Sequence, residues 1–119
     1  MDPVERTLLV VDDNAGNRDL LSRRLERKGF RVIVAEDGQR ALDILATSRV
    51  DLVLLDVMMP GLSGLDVLKK LRETQPPSAL PVVMVTAKTE SEDVVEALEL
   101  GANDYVTKPI DFPVVLARV

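Results

Sequence analysis

Short runs of apolar residues alternate along the chain with segments in which apolar residues recur every three or four positions. The apolar runs are typical of strands buried on both faces, and the periodic segments are typical of helices with one buried face. Turn residues such as Gly29 and the pair Pro76–Pro77 separate these segments. The pattern predicts five strands, at Thr7–Val11, Arg31–Ala35, Leu52–Asp56, Pro81–Thr86 and Asp104–Thr107.

The predicted helices carry recognisable start and stop signals. The first runs from about Asn14 to Lys28, and the Gly29 that follows it suits the left-handed conformation that often ends a helix. Ser63 is predicted to cap the third helix, which Pro76–Pro77 terminates. The second helix covers about Gly38 to Thr47, with Ala41, Ile44 and Leu45 inward; the fourth covers about Ser91 to Leu100, and the fifth begins near Asp111.

Strands that alternate with helices predict a parallel sheet, because parallel neighbours need a helical crossover between them. The predicted fold class is α/β, with a doubly wound five-stranded parallel sheet in a flavodoxin-like (βα)5 three-layer sandwich. Ligands of such sheets bind beyond the carboxyl ends of the strands, where the direction of winding reverses. In the flavodoxin-like order, the first and third strands are neighbours at that point.

Carboxylates stand at the ends of two apolar runs. Asp12 and Asp13 follow the first predicted strand, and Asp56 closes the third. A strand buried on both faces tolerates charge only at its tip, so these acids are predicted to converge if the two strands are neighbours. Lys108 follows the last predicted strand. Several carboxylates and a lysine at one rim suit a divalent cation and a phosphoryl group.

Composition narrows the chemistry open to such a site. The 119 residues are 46% hydrophobic and only 3% aromatic, which predicts one domain with an aliphatic core. The chain has no histidine and no cysteine, which excludes disulfides, thiol nucleophiles, zinc sites and histidine acid–base catalysis. A net charge of −5, with the basic residues dispersed, predicts no direct nucleic-acid binding. No signal peptide or membrane span is recognisable, so a cytoplasmic location is predicted.

The polar residues at the strand ends resemble those of a known family. Asp12–Asp13, Asp56 within Leu-Leu-Asp-Val-Met-Met-Pro-Gly, Thr86–Ala87 and Lys108–Pro109 resemble the receiver domain of bacterial two-component response regulators. Each element alone is a weak signal, but the full set is specific and covers essentially the whole chain. The resemblance implies one receiver domain over residues 1–119, with its last helix truncated, as part of a longer multidomain protein.

The resemblance also implies which residues hold a metal ion. Asp56 would be the phosphoacceptor, and the carboxylates of Asp12, Asp13 and Asp56 would bind Mg²⁺, with Mn²⁺ as a substitute. The backbone carbonyl of Met58 would complete the protein's share of the ligands. Magnesium prefers oxygen ligands and retains several waters, which fits this donor set.

A second group of residues would respond to phosphorylation. By the same resemblance, Thr86 and the backbone N–H of Ala87 would bind the phosphoryl group, and Lys108 would neutralise its charge. Tyr105 would change rotamer on activation. The peptide bond between Lys108 and Pro109 would be cis.

The function implied is that of a phosphoacceptor switch in a phosphorelay, able to catalyse its own phosphorylation and dephosphorylation but not a classical enzyme. The donor would be a histidine on a sensor kinase or phosphotransfer protein, since this chain has no histidine. Phosphorylation would change the surface of helix four, strand five and helix five, through which an output domain, a partner or a second copy would dock. The end of the chain resembles receivers joined to nucleotide-cyclase outputs.

Three other functions compete with that of a phosphoacceptor switch. A magnesium-dependent phosphohydrolase usually needs a separate acid–base group and a cap, for which 119 residues leave no room. A flavin or nucleotide carrier would need a phosphate-binding loop after the first strand, where this chain has Asp-Asp-Asn-Ala-Gly. A degenerate receiver that acts only as a protein-binding module is disfavoured, because no element of the site is missing.

Overall fold

The computed structural model describes residues 6–56, 59, 61–76, 79–86, 99, 102 and 104–107. The strands are β1 (Thr7–Val11), β2 (Arg31–Ala35), β3 (Leu52–Asp56), β4 (Val82–Thr86) and β5 (Asp104–Thr107). The helices are α1 (Ala15–Arg27), α2 (Gly38–Thr47) and α3 (Gly64–Arg72). The helices predicted over 91–100 and from 111 onward lie outside the described residues, except at Glu99. None of the described helices is long and apolar enough to cross a membrane.

The strands form one parallel sheet in the order β2-β1-β3-β4-β5. From β1 the chain moves outward to β2 and then returns across β1 to β3, so the direction of winding reverses between β1 and β3. Leu8 to Val11 pair with Leu52 to Leu55 across that point. The predicted flavodoxin-like α/β fold is confirmed, including the contact between the first and third strands.

Two apolar clusters cover the two faces of the sheet. On one face α2 and α3 pack against strand residues that include Leu9 and Val53. On the other face Leu21 and Leu25 of α1 pack against residues that include Leu54. Successive residues of a strand point to opposite faces, so a strand covered on both sides is apolar at nearly every position. All five residues of β3 are buried, and its one charged residue is its last.

Helix α1 begins and ends at local hydrogen bonds that its sequence makes predictable. Asn14 is the N-cap, since its Oδ1 accepts a hydrogen bond from Asn17 N at 3.0 Å. At the other end Gly29 has a φ of 95°, and Phe30 N donates to Leu25 O at 3.2 Å. This is a Schellman ending, and it confirms the predicted role of Gly29. The predicted range of the helix included both cap residues.

Two further boundaries test the sequence predictions. Ser63 caps α3 in a capping box: Ser63 Oγ accepts from Asp66 N at 3.2 Å, and Asp66 Oδ2 accepts from Ser63 N at 3.1 Å. The fourth strand begins at Val82, one residue later than predicted. Pro81 has no N–H to pair with a neighbouring strand, although its carbonyl still accepts from Val53 N at 3.0 Å.

Arg72 joins the end of α3 to the segment that leads into β4. Its Nη1 donates to Leu80 O at 2.8 Å and to Gln75 O at 3.3 Å. Partial burial lowers the pKa of Arg72, but a guanidinium stays protonated at any ordinary pH. The contact therefore holds this connection independently of pH.

Helix α2 buries Ala41 and Ile44 as predicted, whereas Leu45, also predicted to face inward, is only partly buried. The first residue of the helix, Gly38, lies close against the neighbouring helix and loop. A Cβ built on Gly38 would lie 2.7 Å from Val67 Cγ2 and 2.8 Å from Leu62 Cβ. Glycine is needed here because the next helix and the loop before it occupy the space of a side chain.

We expect Gly38→Ala to lower the free energy of unfolding by about 1 to 3 kcal/mol, because Leu62 and Val67 must move to admit a methyl group. This loss outweighs the gain of up to ~1 kcal/mol that alanine has over glycine in a helix. Urea denaturation would measure the change. Gln39→Ala, at the next and exposed position, is the control and should shift stability by less than about 0.5 kcal/mol. A Gly38→Ala protein as stable as wild type would contradict the packing described.

Candidate functional site

Strand register places the acids of β1 and β3 side by side. Val11 pairs with Leu55, so the next residues, Asp12 and Asp56, lie level with each other at the carboxyl edge of the sheet. Asp13 follows directly in the loop toward α1. One carboxylate oxygen from each of the three acids lies within 4.8 Å of the others. The structure thus brings together the acids that the sequence predicted to converge.

Burial distinguishes these carboxylates. Asp12 is 2% exposed and Asp56 is 1% exposed, and they are the buried charged residues of the described part of the chain. Asp13 is exposed. Carboxylates withdrawn from water need compensating partners, and adjacent carboxylates repel each other. The cluster is therefore an electrostatically unfavourable arrangement that a cation would stabilise.

The donor set fits a hard divalent cation. All three side chains offer oxygen, the ligand type that Mg²⁺ prefers. Magnesium–oxygen distances of about 2.1 Å place ligands of one octahedron roughly 3 to 4 Å apart. Oxygens that already lie within 4.8 Å of one another need only small movements to reach that spacing.

Asp12 is held in place by the start of α1 and by β2. Asn14 N donates to Asp12 Oδ1 at 2.9 Å, and Asn17 Nδ2 donates to Oδ2 at 3.4 Å. Arg18 Nη1 donates to the main-chain oxygen of Asp12 at 2.8 Å. The N–H of Asp12 donates to Ala35 O at 3.2 Å. Both the side chain and the backbone of Asp12 are therefore fixed by hydrogen bonds.

Sequence reasoning did not identify Asn17 and Arg18 as parts of the site. A detectable signal existed, because both lie in the first turns of the helix that follows the acidic strand end. Helical side chains lean toward the helix N-terminus, so polar residues three to four positions past the loop can reach back to it. Which of the polar residues on α1 do so depends on how the helix packs on the sheet.

The other predicted site residues are described only in part. Asp56 pairs with Val85, so Thr86 lies one residue further along the neighbouring strand toward the same edge. Tyr105 lies on the edge strand β5, opposite Met84. Met58, Ala87, Lys108 and Pro109 lie outside the described residues, and with them the predicted carbonyl ligand, the lysine and the cis peptide.

Comparison with known proteins identifies relatives of this chain. The family model described as the response regulator receiver domain matches residues 8–119. The DNA-binding response regulator MtrA of Mycobacterium bovis is 45% identical over 119 residues, which are 100% of this chain and 51% of MtrA. The chain therefore spans about half the length of that curated relative.

Solved structures agree in fold over nearly the whole chain. The chemotaxis protein CheY4 of Vibrio cholerae superposes with a TM-score of 0.90 at 30% identity, covering 97% of this chain and 96% of that chain. The response regulator TrrA of Thermotoga maritima, in complex with Mg²⁺ and BeF, superposes with a TM-score of 0.85 at 31% identity, covering 95% of each chain. The relatives are regulatory proteins rather than classical enzymes. This chain belongs to the family of receiver domains of two-component response regulators.

Proposed function

We propose that Asp56 is the phosphoacceptor of this receiver domain and takes its phosphoryl group from a phosphohistidine on a sensor kinase or phosphotransfer protein. The observation that carries the proposal is the buried carboxylate of Asp56, with oxygens of Asp12 and Asp13 within 4.8 Å. A nucleophile beside a cation site is the arrangement that phosphoryl transfer requires.

In the proposed reaction, an oxygen of Asp56 attacks the phosphorus atom of the donor. An O–P bond forms while the N–P bond to the donor imidazole breaks, and the released imidazole takes up a proton from solvent. The nucleophile and the phosphoryl group are both negative, so their repulsion must be offset before transfer. Bound Mg²⁺, held by Asp12, Asp13, Asp56 and the carbonyl of Met58, would supply positive charge at this point. We propose that Lys108 supplies a second positive charge.

The protein's own residues set the conditions for this step. Hydrogen bonds to Asp12 keep one cation ligand in place before the cation arrives, which lowers the cost of assembling the site. Burial of Asp56 limits the access of water to the aspartyl phosphate that forms. The same groups would serve phosphorylation from small donors and dephosphorylation by water, so we propose that the domain catalyses both.

We propose that Thr86 responds to the modification. It lies on the strand next to Asp56 and one residue nearer the edge of the sheet. The phosphoryl group adds three acceptor oxygens, which would accept hydrogen bonds from the Thr86 hydroxyl and the Ala87 N–H. Movement of Thr86 would then make room for a new rotamer of Tyr105 on β5. We propose that the resulting change spreads over the surface of the fourth helix, β5 and the last helix, where an output domain or a second copy docks.

The output is proposed from the relatives. MtrA is by name a DNA-binding response regulator, and this chain matches 51% of its length. We therefore propose a DNA-binding output domain elsewhere in the same protein, acting in the cytoplasm. The relatives give no support to the nucleotide-cyclase output suggested by the end of the chain. With a net charge of −5, the receiver itself is proposed to make no contact with nucleic acid.

Phosphorylation by a small donor tests the proposal directly. We expect the protein, incubated with Mg²⁺ and acetyl phosphate, to gain one phosphoryl group, and borohydride reduction followed by peptide mass spectrometry should locate it at Asp56. The same incubation in EDTA should leave the protein unmodified, because no cation then offsets the repulsion between the Asp56 carboxylate and the phosphoryl group of the donor. Modification at a hydroxyl residue, or at another acid, would contradict the assignment.

A further inference from the structure

We propose that Arg18 is a positioning residue for the cation site. It fixes the orientation of the peptide group between Asp12 and Asp13 and thereby raises the affinity of the site for Mg²⁺. The inference rests on the proposed function. Arg18 lies near the start of α1 and is partly buried. Its Nη1 donates to the main-chain oxygen of Asp12 at 2.8 Å, a charge-assisted hydrogen bond of good length.

This bond matters because it acts on the backbone between two proposed ligands. The carbonyl of Asp12 and the N–H of Asp13 belong to one planar peptide group, so fixing the carbonyl fixes the direction in which the chain enters Asp13. The N–H of Asp12 is already bonded to Ala35 O at 3.2 Å. With the Arg18 bond to the carbonyl, both backbone polar groups of Asp12 are held by hydrogen bonds.

Asp13 depends on this backbone for its orientation. Its side chain is exposed, and within the described residues its carboxylate accepts no hydrogen bond. By contrast, the carboxylate of Asp12 is held directly by Asn14 N and by Asn17 Nδ2. Loss of the Arg18 contact would let the peptide group rotate, and the Asp13 carboxylate would no longer be held toward the other two acids.

Arg18 also carries a positive charge, and that charge alone would act in the opposite direction. A cation beside the acidic cluster repels Mg²⁺, so a purely electrostatic role predicts that removing Arg18 strengthens Mg²⁺ binding. A positioning role predicts that removing Arg18 weakens binding. Mutation of a residue that orients metal ligands typically lowers metal affinity by about 10- to 100-fold. A role in stability alone predicts unchanged affinity. The sign of the change therefore separates these roles.

Calorimetric titration of the protein with Mg²⁺ tests the proposal. We expect Arg18→Ala to raise the Kd for Mg²⁺ by about tenfold and Arg18→Lys to recover part of that loss. The matched control is Arg23→Ala on the same helix, whose side chain is 71% exposed and pairs with Asp19 at 3.2 Å. The control should keep the wild-type Kd within about twofold. An unchanged or lower Kd for Arg18→Ala would overturn the proposal.

Phosphorylation by acetyl phosphate gives a second readout that excludes effects on docking of a protein donor. The rate for Arg18→Ala should fall about tenfold at subsaturating Mg²⁺ and return close to the wild-type rate at saturating Mg²⁺. A rate reduced equally at all Mg²⁺ concentrations would overturn the positioning role. If Arg18→Ala does not fold, Arg18→Lys carries the test, and an unchanged Kd for it would overturn the proposal. Wild-type protein that binds no Mg²⁺ would instead refute the proposed function itself.

Discussion

Replacing Asp56 with asparagine should abolish phosphoryl labelling of the protein by Mg²⁺ and acetyl phosphate. An amide has no carboxylate oxygen to attack phosphorus, and we propose that no other acid takes its place. The variant should remain folded, because asparagine has nearly the same shape and Asp56 is a buried charge, 1% exposed, beside two other carboxylates. Intact-protein mass spectrometry would measure the loss of label, and circular dichroism would verify the fold.

Asp51→Asn is the matched control for this experiment. Asp51 directly precedes β3, at the opposite end of the strand from Asp56, and its Oδ2 accepts from Thr7 N at 2.8 Å. Asparagine keeps an oxygen for that bond, so the variant should be labelled at the wild-type rate. Persistent labelling of Asp56→Asn would disprove the assignment of the phosphoacceptor. Loss of labelling in both variants would point to a general effect on β3.

Asp13→Asn should melt at a higher temperature than wild type in EDTA. Two unit charges at ~4 Å repel by about 4 kcal/mol at an effective dielectric near 20, and the exposure of Asp13 reduces this to roughly 1 kcal/mol. Without a cation, removal of one of three clustered charges relieves that repulsion. The substitution should not cost a helix cap, since Asn14 and not Asp13 caps α1.

In Mg²⁺ the order of the two proteins should reverse. A ligand that binds only the folded state stabilises wild type by about 2.7 kcal/mol at a concentration one hundred times its Kd. Asp13→Asn should lose most of this stabilisation, because one of the three proposed carboxylate ligands is gone. Thermal melts of wild type and Asp13→Asn, each in EDTA and in Mg²⁺, would measure the four melting temperatures.

Glu26→Gln is the control for a general effect of net charge. Glu26 is exposed in the last turn of α1, far along the helix from the acidic cluster. Its removal should raise stability by only a few tenths of a kcal/mol, through the helix dipole, and by the same amount in EDTA and in Mg²⁺. An Asp13→Asn protein that is less stable than wild type in EDTA would show that Asp13 has a structural role, and the shared-cation description of the site would have to be withdrawn.

The amino-acid sequence by itself determined the elements and many of their ends. Apolar runs such as β3 predict strands because a strand covered on both faces is apolar at nearly every position, with charge only at its end. Ser63 and Gly29 marked helix ends because capping depends on residues next to one another in the chain. The alternation of strands and helices also limited the fold to a parallel sheet, since only helical crossovers join parallel neighbours.

Tertiary structure decided what meets at the carboxyl edge of the sheet. The acids converge only because β1 and β3 are neighbours in a register that sets Asp12 level with Asp56. Packing of α1 on the sheet selected Arg18, and not another arginine of the helix, to bind the Asp12 carbonyl. Likewise, only the approach of α3 and its preceding loop made Gly38 a position without space for a side chain. These contacts join residues on different elements, and their distances follow from packing rather than from any local pattern in the sequence.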